Sequence, residues 1–150
     1  MRIMLDTQIY DLIIGTSGMV ERLSQFWKEG KVVVLSTHIQ EDQLASIPNK
    51  KKRTEIQRIV RQELPTSGSV IGVSRLGKAR LGNGSMGGFG IDDFRTKSRK
   101  HTKDALIATT AARDADILVT EDRRFVNRMQ ALHSTCKVWR FNQLEEFLGI

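Results

Sequence analysis

Residues 31–35 read KVVVL. Three consecutive valines are stiff at χ1 and suit a pleated strand. The run is apolar without polar alternation, the pattern of a central parallel strand buried on both faces. It therefore predicts a strand with helices packed on either side. Further strands are expected at 2–5, 70–73, 117–119 and 137–140. Helical spacing fills the intervals. Residues 19–28 carry Val20, Leu23 and Phe26–Trp27, 54–62 are amphipathic and stop near Pro65, and 125–132 and 143–148 close the set. Thr37 followed by Gln40 makes a capping-box pattern, and Thr102 is placed to cap the alanine-rich helix 103–112. Strands alternating with helices predict an α/β fold, a three-layer α/β/α sandwich around a central, mostly parallel sheet.

With 150 residues, 39% of them hydrophobic and 27% charged, the chain reads as one globular domain spanning 1–150. Cys136 is the single cysteine, so no internal disulfide can form, and a cytoplasmic, reducing location is expected. Asp6 and Asp11 interrupt the apolar N-terminus, which argues against a signal peptide. No apolar run is long enough to span a bilayer, so no membrane partner is expected. Lys and Arg outnumber Asp and Glu by 24 to 17, a net charge of +7. That excess favours a polyanionic partner through attraction to phosphates and counterion release.

One stretch lacks periodicity. Residues 82–90 read GNGSMGGFG and lead into IDDFRTKSRKH. A flexible, Gly-rich and basic loop is expected at about 82–101, either functional or a disordered insertion. GNGSMG satisfies G-x-G-x-x-G, but GFGIDDF behind it is a poor helix start, so the dinucleotide reading is set aside.

Four acids fall at element edges. Asp6 follows the first strand, Glu41 lies beyond the second, Asp104 opens the alanine-rich helix and Asp122 follows 117–120. Ligands of open parallel sheets bind beyond the carboxyl ends of the strands, so all four can meet at one edge. Each has a plainer reading alone: Asp6 and Asp122 as helix caps, Glu41 as a solvated helix residue, Asp104 as a complement to its helix dipole. Gathered carboxylates repel unless a cation compensates. Mg²⁺ or Mn²⁺ prefers such hard oxygen ligands and can activate water for attack on phosphorus.

MLDTQIYD at 4–11, STHIQED at 36–42, KDALIATTA at 103–111 and ILVTEDRRF at 117–125 resemble the successive motifs of PIN-domain ribonucleases. The last two are the specific part, in wording and separation. The resemblance implies a PIN-like sandwich whose metal ligands and catalytic acids are Asp6, Glu41, Asp104 and Asp122, with Thr120 in support. It implies a Mg²⁺- or Mn²⁺-dependent endoribonuclease acting on single-stranded RNA or an exposed RNA loop. Many relatives are toxins paired with a small antitoxin protein, and many form homodimers. Gln8 stands where the family often has Asn or Ser.

Other residues offer alternatives. Arg95, Lys97, Arg99 and Lys100, just before Asp104, form either a phosphate track or a solvated charge run, as do residues 50–53 (KKKR). Phe89 and Phe94 stack on bases or anchor the loop. Asp92 and Asp93 are a fifth acid or exposed. Asp114 and Asp116 precede a strand and read as a turn. His101 reads as helix entry, Trp27 and Trp139 as core. Competing functions are a non-catalytic PIN-like nucleic-acid-binding module, a Mg²⁺-dependent small-molecule phosphatase, for which no phosphate-binding motif stands out, and a receiver-type signalling domain. The last expects an acidic pair at the first strand, where Asp6 stands alone.

Overall fold

In the computed structural model, residues 1–66 and 99–150 are described, 99–102 by backbone alone. The order is β1 (Arg2–Leu5), α1 (Thr7–Gly15), α2 (Met19–Lys28), β2 (Val33–Thr37), α3 (His38–Ala45), α4 (Lys50–Gln57), β3 (Gln62–Leu64), α5 (Arg99–Asp114), β4 (Ile117–Val119), α6 (Arg123–Ala131), β5 (Lys137–Trp139) and α7 (Phe141–Leu148). The strands form one sheet in the order β3-β2-β1-β4-β5, and every pairing is parallel. The expected strand at 70–73, the Gly-rich stretch 82–90, Asp92, Asp93, Phe89, Phe94, Arg95 and Lys97 lie outside the described residues. Arg99 and Lys100 fall in the first turn of α5, their side chains outside the description.

Strand alternation divides the apolar residues between two cores. Ile3, Leu5, Val34, Ile117 and Val119 face one side, where α1, α2, α4 and α7 cover them through residues such as Tyr10, Leu23, Ile56 and Leu144. Met4, Leu35 and Leu118 face the other, beneath Leu106 and Ala108 of α5 and Phe125 of α6. The valine run thus divides between the layers, Val32 and Val34 to one core, Leu35 and Val33 to the other. Helix α3 serves both, with Ile39 in the second core and Leu44 in the first.

Some boundaries differ from the sequence expectation. Strand β2 begins at Val33 rather than Lys31, because the N–H groups of Lys31 and Val32 both turn back to the Phe26 carbonyl at the end of α2. Gly30 makes that reversal with φ +69°, a left-handed conformation that costs glycine least. Residues 54–62 are not one helix. Asn49 caps α4 by accepting the Lys52 N–H at 3.1 Å, so the helix starts at Lys50. Gln62 instead enters β3, an edge strand in which only Leu64 is buried, so it carries little of the hydrophobic pattern that marks strands. Helix α5 starts at Arg99, so Thr102 lies inside it and Asp104 sits in its second turn rather than opening it. Lys and Arg are good helix formers and carry the helix upstream.

The expected capping box at Thr37 is formed, and its partner does more than cap. Gln40 is fully buried. Its Oε1 accepts from the Thr37 N–H at 3.0 Å and its Nε2 donates to the Leu5 carbonyl at 2.6 Å. Gln43, three residues on, accepts from the Thr7 hydroxyl at 2.6 Å. Helix α3 is therefore tied to the two residues flanking Asp6. Gln40→Met preserves volume but strands a buried carbonyl and a buried N–H, each costing about 1–3 kcal/mol. Denaturant unfolding should show a loss of at least about 2 kcal/mol.

Candidate active site

The strand order defines where the site can form. From β1 the chain moves through β2 to β3 on one side and reaches β4 and β5 on the other, so the topological switch lies between β1 and β4. The loops leaving two such strands diverge and open a crevice beyond their carboxyl ends. Asp6 ends β1, and Thr120, Glu121 and Asp122 join β4 to α6.

Backbone pairing continues one step past the strands there. The Asp6 N–H donates to the Val119 carbonyl at 2.9 Å, and the Thr120 N–H to the Trp139 carbonyl at 3.0 Å. This brings the side chains together. The buried Thr120 hydroxyl donates to Asp6 Oδ2 at 2.8 Å and accepts from the Asp122 N–H at 3.0 Å. A valine in its place would break both links. Asp6 stands at the N-cap of α1, but its carboxylate makes no cap bond; it turns to Thr120 instead. Asp122 does cap α6, accepting the Arg124 N–H at 2.8 Å.

Asp6 is 7% exposed. Burial pushes its carboxyl above the ordinary aspartate range, against the bonds from Thr120 and the Thr7 N–H, and the charges of Asp104 and Asp122 push it further. Asp122 lies below the usual range, chiefly through its bonds to Arg124. The Arg124 guanidinium reaches Oδ2 at 2.9 Å and also senses Asp104.

Glu41 has a different surrounding. Arg61 grips it with two bonds, Nε to Oε1 at 2.6 Å and Nη2 to Oε2 at 2.8 Å. Burial opposes the Glu41 charge, but this pair outweighs it and holds the carboxyl below its usual range. The structure thus links Asp6 and Asp122 through Thr120 and pairs Glu41 with Arg61. Sequence reasoning passed over both arginines. Arg61 precedes an unmarked edge strand, whereas Arg124, two residues after Asp122 in TEDRRF, was open to view as a helix-entry partner.

Among the described residues no group of three or more His, Cys, Asp or Glu side chains is gathered closely enough to hold a metal ion. Carboxylate oxygens are the donors a hard divalent cation prefers, and Asp6 and Asp122 are the two that Thr120 links here. Cys136 is buried and its thiol is pushed up to about 12, mainly by burial, so it is no nucleophile at neutral pH. Trp139 packs on Phe147 with ring centroids 5.5 Å apart, and with Trp27 lies partly buried against the first core. Asp116 binds the Arg2 N–H at 2.6 Å, at the opposite end of the sheet from Asp6. No described helix is long and apolar enough to cross a membrane.

No protein-family model, no curated protein and no solved structure matches the chain.

Asp6 is more easily protonated folded than unfolded, so its charge works against the fold above its folded pKa, and this penalty fades as pH falls through that pKa. Asp6→Asn without divalent ions should therefore raise Tm at pH 7, on the order of 1 kcal/mol or roughly 2–4 °C for a domain of this size. The difference should close as the pH is lowered towards 4 in paired thermal melts.

Proposed function

We propose that this protein is a Mg²⁺- or Mn²⁺-dependent endoribonuclease of the PIN type. The observation that carries the reading is the Thr120 hydroxyl that joins Asp6 to the Asp122 turn at the β1/β4 switch. The resemblance of residues 4–11, 36–42, 103–111 and 117–125 to PIN motifs supports it independently.

Asp6, Asp104 and Asp122 would hold the cation, with Glu41 the fourth acid of the motif set. A divalent ion bound there supplies charge neutralisation at the phosphate and acidifies water for attack on phosphorus. Thr120 fixes the Asp6 carboxylate and, through the Asp122 N–H, the turn that carries Asp122. Arg124 balances Asp122 in the free protein. An open groove of about 680 Å³ is lined by Arg123 and Arg140 together with Glu121, Glu145 and Phe141, and Arg140 pairs with Glu121 at 3.6 Å. The net charge of +7 favours a polyanionic partner.

The ion pairs on Asp122 and Glu41 favour one competing reading, a non-catalytic nucleic-acid-binding module whose acids are neutralised by arginine. Labelled RNAs and DNAs incubated with Mg²⁺, Mn²⁺ or EDTA separate the two. The expected result is RNA cleavage that requires the metal and falls about a thousandfold in Asp6→Asn and Asp104→Asn, with the fold retained. Full metal-dependent cleavage by both variants would defeat the assignment, and tight RNA binding without turnover would establish the module.

A further inference from the structure

Glu121 stands between Thr120 and Asp122 and takes no part in the bonds that join them. Its carboxylate is turned to the start of α7, 20 residues on. Oε1 accepts the Phe141 N–H at 2.7 Å, and Oε2 lies 3.6 Å from the Arg140 guanidinium. Helix α7 needs such a partner. Its N-cap position is Arg140, whose side chain has donors and no acceptor. It cannot satisfy the first N–H groups of the helix as Ser, Asn or Asp would. Gln143 Oε1 takes the Arg140 N–H at 2.9 Å, and Glu121 takes the next one from outside the helix. A carboxylate there also complements the helix dipole, and a charged acceptor strengthens the bond. The pairing of Glu121 with Arg140 adds less, because the two side chains are 45% and 35% exposed.

The anchor is firm. Leu144 and Leu148 of α7 are buried in the first core, and Phe147 packs on Phe26 and Trp139 with ring centroids 5.4 and 5.5 Å apart. The same junction holds the turn at two other points. The Thr120 N–H donates to the Trp139 carbonyl at 3.0 Å, and the Arg140 guanidinium donates to the Thr120 carbonyl at 3.4 Å. Of the three side chains in the turn, Thr120 goes to Asp6, Asp122 to Arg124 and Glu121 to α7.

We propose that Glu121 is a positioning residue: by capping α7 it fixes the backbone between Thr120 and Asp122, and so sets where Asp122 stands relative to Asp6. The effect on catalysis rests on the ribonuclease reading given above; the effect on the turn does not. What Glu121 supplies is an acceptor oxygen at the right reach, rather than a charge.

The test compares wild type with Glu121→Gln, Glu121→Ala and Glu121→Asp, by amide hydrogen exchange at Phe141 and Asp122 and by RNA cleavage with Mg²⁺. Gln keeps the acceptor at the same reach, Ala removes it and Asp draws it back by one methylene. Exchange at both amides should be about tenfold faster in the Ala and Asp variants and within about twofold of wild type in Glu121→Gln. Cleavage should follow the same order, with kcat about tenfold lower in the Ala and Asp variants and KM within about twofold. Unchanged Asp122 exchange in those two variants, or faster exchange with kcat unchanged, overturns the proposal. So does a Glu121→Gln variant as impaired as Glu121→Ala in exchange or cleavage, which would show the charge itself acting. Faster Asp122 exchange in the Ala and Asp variants, with no cleavage by wild type, supports the positioning role and defeats the ribonuclease reading. Should Glu121→Ala fail to fold, the Asp and Gln variants carry the comparison.

Discussion

The hydrogen bond from the Thr120 hydroxyl to Asp6 joins residues 114 positions apart, and the arrangement of the acidic edge follows from it. It closes the crevice between β1 and β4 at its base. It orients a carboxylate whose charge burial opposes. The same oxygen receives the Asp122 N–H, so one small side chain sets the relative positions of two acids. A hydroxyl is needed because only a group that donates and accepts at once can serve both neighbours.

Around this link the domain is built to restrict movement. Gln40 bonds β1 to the start of α3, and Gln43 bonds α3 to the start of α1. The Gln40 contact is buried, where an unmade hydrogen bond is expensive, and the Gln43 contact is half-buried. Charge is handled differently at its two margins. On the α6 side an exposed arginine covers Asp122 loosely, whereas on the α4 side a confined arginine holds Glu41 tightly. Acids that look equivalent in a motif set thus have different partners, Arg124 from within the motif and Arg61 from outside it.

The sequence made the layers legible where burial leaves a pattern. The valines of β2, the apolar β4 and the spaced residues of α2 each report a two-sided or one-sided core directly. It said less about segments whose structure is set by backbone bonding. Residues 62–64 form a strand by pairing with β2 while exposing two of three side chains. The start of α4 was set by Asn49, a single capping side chain. At the site, the positions of Asp6 and Asp122 could be read from element edges, and Thr120 only from the motif resemblance. The pairing of Glu41 could not, because Arg61 lies 20 residues away with no periodic signal to connect them.

The all-parallel order of the sheet has a consequence for how the chain is made. Strand β1 meets β2 through pairs such as Arg2 with Val33, but its other edge waits for Ile117. During synthesis the first three strands can assemble while that edge of β1, the future centre of the sheet, still presents unpaired backbone groups. Such an edge can template pairing with another chain, and closure over so long a separation is intrinsically slow. The nascent domain is therefore most prone to aggregate after β3 has emerged and before β4 arrives, and arrival of β4 completes the centre of the sheet and the acidic edge together.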